Sequence, residues 1–315
     1  MDFVMSLLNS MPGAVAQGLI WGIMAIGVFI TYRILDIADL TVDGSIATGG
    51  AVCVILTLNG VPAGVAVVIA VLVGMLAGMI TGLFHTACGI PAILSGILTQ
   101  LALYSVNLRI MGAGTGGGKA NLPISVDKYG LLVSARYVRD LAVNNPLLTL
   151  AVFVGVIIAV LYWFFGTETG CSLRATGANR NMSRAQGINT NVTTVLGLMI
   201  SNGLVALSGA LLAQYNGFSD INMGRGAIVI GLAAVIIGEV IFSKVFRNFA
   251  LKLLACVFGA IIYYIVIQIV LRMGLSTDDM KLLTAIVVAM FLAVPYWKGK
   301  FFHKKKNHKG GAANA

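Results

Sequence analysis

The sequence predicts an all-α polytopic membrane protein with about nine transmembrane helices, on three observations. Of its 315 residues, 58% are hydrophobic and only 10% are charged, whereas a soluble domain carries about 25% charged residues. The mean hydropathy is +0.95. Several uninterrupted apolar runs reach the roughly 20 residues that an α-helix needs to cross a bilayer core. Membrane β-strands would instead give short alternating segments.

In chain order, the predicted spans cover about residues 13–32, 43–60, 62–84, 90–111, 146–166, 192–213, 224–243, 249–271 and 282–297. Pro62, Pro91 and Pro146 stand at span starts, where a missing N–H is harmless. The second span is short and opens on Asp43-Gly44, so its first turn is expected to be broken or buried in protein. Residues 1–297 then form one membrane domain with long loops at 112–145 and 167–191. Residues 298–315 form a basic tail suited to anionic lipid.

Lys and Arg set the orientation. With the C-terminus cytoplasmic, 13 of the 21 Lys and Arg residues fall inside and eight outside, as the positive-inside rule requires. The N-terminus is then outside and 167–191 is cytoplasmic, while the basic 112–145 loop runs against this assignment. A net charge of +10 would suit nucleic acid in a soluble protein. Here basic loops that mark the cytoplasmic face explain it, and no nucleic-acid partner is expected. Asp2 makes the N-terminus acidic, and no small-residue cleavage site interrupts the first apolar run, so no cleaved leader is expected. Cys53, Cys88, Cys171 and Cys256 form no C-x-x-C pair, and His85, His303 and His308 lack ligand-like neighbours, so no metal is assigned.

Two glycine-rich stretches invite chemistry. MGAGTGGGKAN (residues 111–121) resembles a phosphate-binding loop, but Ala113 replaces the first required glycine and Ala120 the required Ser or Thr. No strand precedes it, and it is rejected as a nucleotide site. GCSLRATGANRNMSRAQGIN (170–189) is basic and punctuated by Gly170, Gly177 and Gly187. By composition alone it could be an ordinary positive-inside loop. Its glycines permit tight turns and close backbone approach, and Arg174, Arg180 and Arg184 offer planar donors to a partner.

The last stretch, with the span after it, resembles the coupling region of the permease subunits of ABC importers of the branched-chain amino acid and ribose type. DIADLTVDGSIATGGAV, GIPAILSGILTQLALYSVNLRIMGAG and FSDINMGRGAIVIGLAAVIIGEVIF resemble further stretches of that family, from about residue 17 to 297. The chain departs from the pattern at Gly238-Glu239, where the family has Gly-Gly and a small polar residue, and at SKVFRNF, which replaces a glycine-rich loop.

The resemblance implies a type II-like permease bundle in a bacterial plasma membrane. It implies two permease chains around one pathway, a pair of ATPase subunits below and an extracellular substrate-binding lipoprotein above. ATP and Mg2+ would sit on the ATPase; this chain is expected to carry no cofactor and to be no enzyme. Leu173, Arg174, Ala175 and Gly177 would form the coupling helix, with Asn179, Arg180, Arg184 and Gly187 completing the ATPase contact. The cargo implied by the nearest branch is an amino acid, possible classes being aromatic amino acids first and nucleosides or sugars next.

Polar residues inside spans are the other functional candidates, because lipid does not solvate them. Gln100 and Asn107 share one helix face, Ser201 and Asn202 lie mid-span, and Gln268 lies deep in the eighth span. Each either lines the pathway or makes an interhelical hydrogen bond. Asp36, Asp39 and Asp43, near Arg33, suit local ion pairing or capping. Glu239 suits a salt bridge with Lys244 or a contact with a neighbouring chain. Gly74, Gly78 and Gly82 suit close packing, either within the bundle or in a dimer. A gradient-driven secondary transporter would need repeated broken helices and intramembrane ion ligands. DLTVDGSIATGGA and DINMGRGAIVIGLA are weakly alike, but embedded carboxylates are few. A membrane enzyme would need a catalytic cluster that the spans lack.

Overall fold

The computed structural model describes residues 2–113, 117–126, 128–137, 145–242, 245–246 and 248–272, with isolated positions between 282 and 293. Ten α-helices are described: α1 (Asp2–Phe29), α2 (Val42–Leu58), α3 (Ala63–Thr86), α4 (Ala92–Met111), α5 (Pro146–Gly166), α6 (Glu168–Ala178), α7 (Arg180–Ala185), α8 (Thr190–Asn216), α9 (Ala227–Phe242) and α10 (Phe249–Arg272). A π-helical turn, Ile30–Ile34, extends α1. Among the described residues, six helices are long and apolar enough to cross a membrane, and α2 and α9 are shorter apolar helices. The first eight expected spans thus correspond to helices. Of the ninth, at 282–297, only isolated positions are described, and the tail lies outside the described residues.

The core is built around α8. Small residues let its neighbours approach at backbone distance. A Cβ at Gly74 or Gly78 of α3 would meet the Asn202 or Leu198 carbonyl, and one at Gly82 would sit 3.0 Å from Val195 Cα. The small-residue stripe of α3 therefore packs inside the chain, against α8. Gly49 of α2 lies on the Ala206 carbonyl, and Gly209 of α8 on that of Ile46. Helix α1 closes the other side, where the Ser201 and Ser208 hydroxyls donate to the carbonyls of Gly27 and Ile20, both at 2.8 Å. Helix α10 packs on α1 through Gly18 and Gly22, and on α9 through Gly238 and Gly259. Helices α4 and α5 are the least covered.

Helices α2 and α9 are short for a physical reason. Seventeen and 16 residues rise only about 24–26 Å, less than a bilayer core of about 30 Å. Each is preceded by a non-helical stretch, 35–41 and 217–226 respectively, that already runs among other helices. Ser45 in the first turn of α2 donates to Asn202 Oδ1 at 2.6 Å, level with the middle of α8. Both stretches contain an Asp whose carboxylate accepts the backbone N–H two residues on: Thr41 N–H to Asp39 at 2.9 Å and Asn222 N–H to Asp220 at 2.7 Å. At the start of the second stretch, β2 (Phe218–Asp220) pairs antiparallel with β1 (Asn121–Pro123), in register Asn121 with Asp220.

Candidate functional site

Two sites emerge, one at a helical hairpin and one where the short helices begin. The hairpin is α6 and α7. Thr167 caps α6, its hydroxyl accepting the Gly170 N–H at 3.4 Å, and Asn179 caps α7, its Oδ1 accepting the Met182 N–H at 3.0 Å. Extended backbone at Asn179 (φ −159°, ψ 103°) makes the bend between them. Capping residues at both starts satisfy N–H groups that a helix cannot pair internally.

The inner face of the hairpin is seated on four helix ends. Leu173 is fully buried and reaches Gly197 of α8 beside Leu35. Gly177 lies on the Ile34 carbonyl, where any Cβ would collide. Thr176 and Thr193 hydroxyls meet at 2.9 Å. Arg184 Nε donates to Thr190 Oγ1 at 2.9 Å, and Gly187 turns the chain into α8 at φ +81°. Arg180 Nη1 reaches His85 Nε2 at 3.5 Å while His85 Nδ1 faces the Ile90 carbonyl at 2.9 Å. That pairing assigns the proton to Nδ1 and leaves Nε2 to accept. Arg174 lies 5.8 Å from the Phe249 ring centre and donates to Cys171 Sγ at 3.4 Å. Ala175, Ala178, Asn179, Arg180 and Met182 remain exposed. The hairpin is thus rigidly based and outwardly free.

Nearby, Arg33 Nε pairs with Glu239 Oε1 at 2.9 Å. Glu239 therefore takes Arg33, from the turn after α1, as its partner; Lys244 lies outside the described residues. Arg33 is then engaged away from Asp36, Asp39 and Asp43. Asp36 is exposed, in a left-handed conformation at φ +55°. Asp39 and Asp43 cap backbone, as their positions suggest, but they also join distant elements.

Asp39 is fully buried. Beside the Thr41 N–H it accepts from Asn202 Nδ2 at 2.7 Å, and the Thr41 hydroxyl meets that of Thr81 at 2.8 Å. Asn202 and Ser201 are thus consumed in interhelical hydrogen bonds. Asp43 accepts the N–H groups of Gly226 and Ile228, both at 3.0 Å. Its carboxylate caps α9, whose positive end favours an anion. Nothing local in the sequence links Asp43 to α9; the matching Asp39 and Asp220 stretches are the one signal that pairs the two regions.

Gln100 and Asn107 are used differently. With Asp43, Tyr104 and Arg225 they line a partly open cleft of about 150 Å3. Asn107 is buried, and its Nδ2 faces the Gly44 carbonyl at 3.4 Å. Its Oδ1 has no hydrogen-bond partner among the described residues. Gln268 is half-buried on α10 and apart from this cleft.

Comparison with known proteins places these features in context. A family model described as the permease component of a branched-chain amino acid transport system matches residues 11–295. The tyrosine transport system permease protein of Clostridioides difficile (strain R20291) is 41% identical over 286 residues, covering 91% of each chain. An uncharacterized protein of Rickettsia prowazekii (strain Madrid E) is 37% identical over 290 residues, covering 91% of this chain and 98% of that protein. Among solved structures, PsaBC from Streptococcus pneumoniae in complex with Fab aligns with a TM-score of 0.42 at 17% identity, covering 84% of this chain and 95% of that one.

Proposed function

The chain belongs to the family of branched-chain amino acid transport system permease components, and from that premise we propose that it forms the pathway for an aromatic amino acid in an ATP-driven importer. Two copies enclose the pathway in a type II-like bundle of about nine helices each, the ninth at 282–297. The N-terminus is outside, and the α6–α7 hairpin and the C-terminus are cytoplasmic. A pair of ATPase subunits, which hold ATP and Mg2+, docks on the hairpins. An extracellular lipoprotein delivers the solute. The similarity to a tyrosine transport permease supports the cargo.

The observation that carries this reading is the seat of the hairpin. Gly177 on Ile34, Thr176 on Thr193 and Arg180 on His85 tie one exposed element to the ends of α1, α8 and α3. A push on its free face moves those helices together, as switching between two rigid arrangements requires. The work comes from the ATPase, which binds the two arrangements with different affinity.

The experiment is reconstitution of the chain with its ATPase and lipoprotein in proteoliposomes. ATP-dependent tyrosine uptake is expected. Reversing charge at Arg174 and Arg180 together should release the ATPase or abolish stimulated hydrolysis. Unchanged co-purification and hydrolysis in that double variant would remove the coupling role.

A further inference from the structure

The cleft beside Asn107 contains an unmet chemical demand. Asn107 is 1% exposed, and its amide orientation is set by Gly44: the carbonyl there must face the NH2 group, at 3.4 Å. Oδ1 is therefore an acceptor that lacks a donor among the described residues. A buried acceptor left this way is unfavourable, and such a group in a native fold calls for a donor.

The cleft also holds opposite charges that do not close on each other. Asp43 and Arg225 both line it, yet Arg33–Glu239 is the ion pair found among the described residues. The space between an anchored anion and an exposed cation suits a ligand with both charges. Asp43 is anchored by two backbone N–H groups and is not free to swing to Arg225. Leu101 and Tyr104, at 64% and 43% exposure, continue the wall outward as an apolar and aromatic face. A wall carrying Gln100 and Arg225 is poorly suited to lipid but well suited to an aqueous pathway.

We propose that this cleft is a head-group site for a free α-amino acid. Arg225 takes the carboxylate, Asn107 Oδ1 and the Asp43 carboxylate take the ammonium group, and the side chain of the solute lies along Leu101 and Tyr104. The site rests on the permease reading above and deepens it: selection for zwitterions is then built into the membrane subunit as well as into the binding protein. A sugar could donate to Asn107 but would leave the two charges unanswered, and a nucleoside offers no carboxylate to Arg225.

The test uses the permease–ATPase complex in lipid nanodiscs without the binding protein, with saturation-transfer NMR titrations to read weak binding. The probes are L-tyrosine, tyramine (no carboxylate) and 3-(4-hydroxyphenyl)propionate (no amine). L-Tyrosine is expected to bind, with each single-headed analogue weaker by about tenfold or more, as loss of one charged hydrogen bond implies. Arg225→Gln and Asn107→Leu should each weaken L-tyrosine by a similar factor. Arg225 is exposed, so its variant tests the site even where Asn107→Leu fails to fold. Equal binding of the three probes, no binding of L-tyrosine, or unchanged binding in Arg225→Gln would overturn the site. The two readings fail separately. ATP-dependent uptake of tyrosine without probe discrimination removes the head-group site alone. Uptake of a solute that is not an amino acid removes the cargo and the site together.

Discussion

Asp43 caps a helix it does not belong to: its carboxylate accepts the Gly226 N–H at 3.0 Å, 183 residues away. The bond joins the first turn of α2 to the start of α9, so the beginnings of the two shortest apolar helices meet. Three otherwise unpaired N–H groups at α9 are met there, Gly226 and Ile228 by Asp43 and Ala227 by the Gly224 carbonyl. Gly224 itself lies on the Asp43 carbonyl, where a side chain would not fit. Backbone that is non-helical inside a membrane protein must find such partners, because lipid supplies none.

Removing the cap should loosen α9. Asp43→Ala is expected to lower stability by about 0.5–2 kcal/mol, the usual range for a lost N-cap, and Asp43→Asn should recover part of that through its remaining acceptor oxygen. Thermal melting of the purified chain measures both. An Ala variant that melts with the parent would show that α9 does not depend on the cap.

Asp39 and Asn202 should be energetically coupled. Asn202→Leu strips the buried carboxylate of its 2.7 Å donor and leaves the Ser45 hydroxyl without its acceptor. A loss of about 2 kcal/mol is expected, in the range for hydrogen bonds to charged groups. In Asp39→Asn the charge is gone, so the same Leu substitution should do less harm. A double-mutant cycle should return at least about 1 kcal/mol of coupling; additive effects would mean the contact contributes nothing.

These contacts also mark what could be read from the chain alone. Span positions are legible because an apolar run of sufficient length is a local property, and eight helices stand where the runs are. The hairpin is legible for the same reason: Gly177, Asn179 and Gly187 sit where a close approach, a cap and a left-handed turn are needed. Partners are another matter. Gly74 and Gly78 declare a close neighbour without naming it, and α8 is more than a hundred residues on. Asn202 carries the same signal as Asn107, a polar amide in an apolar helix. One is consumed by Asp39 and Ser45, and the other faces a cleft. Only three-dimensional packing separates them, because side-chain type reports the need for a partner and not its identity.

Arg33 and Glu239 make a contrasting case. Their side chains are 60% and 35% exposed, so solvent screens the attraction, and a double-mutant cycle on stability should give less than about 1 kcal/mol. That coupling should shrink further in high salt. A larger, salt-insensitive value would show that the pair is a structural strut.

Glycine substitutions should change sign with location. Gly155 of α5 has open space where a Cβ would go, so Gly155→Ala is expected to stabilise the helix by about 0.5–1 kcal/mol. Gly78→Ala forces a methyl group onto the Leu198 carbonyl and should destabilise by about 1–3 kcal/mol, as overpacking does. Melting temperatures of the two variants decide it: a Gly78→Ala variant that melts with the parent or above it would refute the close α3–α8 approach.

The proposed coupling role of the hairpin can be tested apart from folding at its seat. Gly177→Ala puts a methyl group on the Ile34 carbonyl, so α6 must lift from the end of α1 while the hairpin's ties at Thr193, from Thr176, and at Thr190, from Arg184, remain. Met182→Glu acts on the free face instead, since Met182 is 63% exposed. Met182→Glu is expected to weaken ATPase binding and leave the melting temperature unchanged. Gly177→Ala is expected to retain ATPase binding while lowering the solute moved per ATP hydrolysed, because the push no longer reaches α1. Both quantities are read in one proteoliposome assay of hydrolysis and uptake. If Gly177→Ala couples as the parent does, the contact with Ile34 does not transmit the stroke, and transmission must run through the remaining ties, at α8, His85 and Phe249.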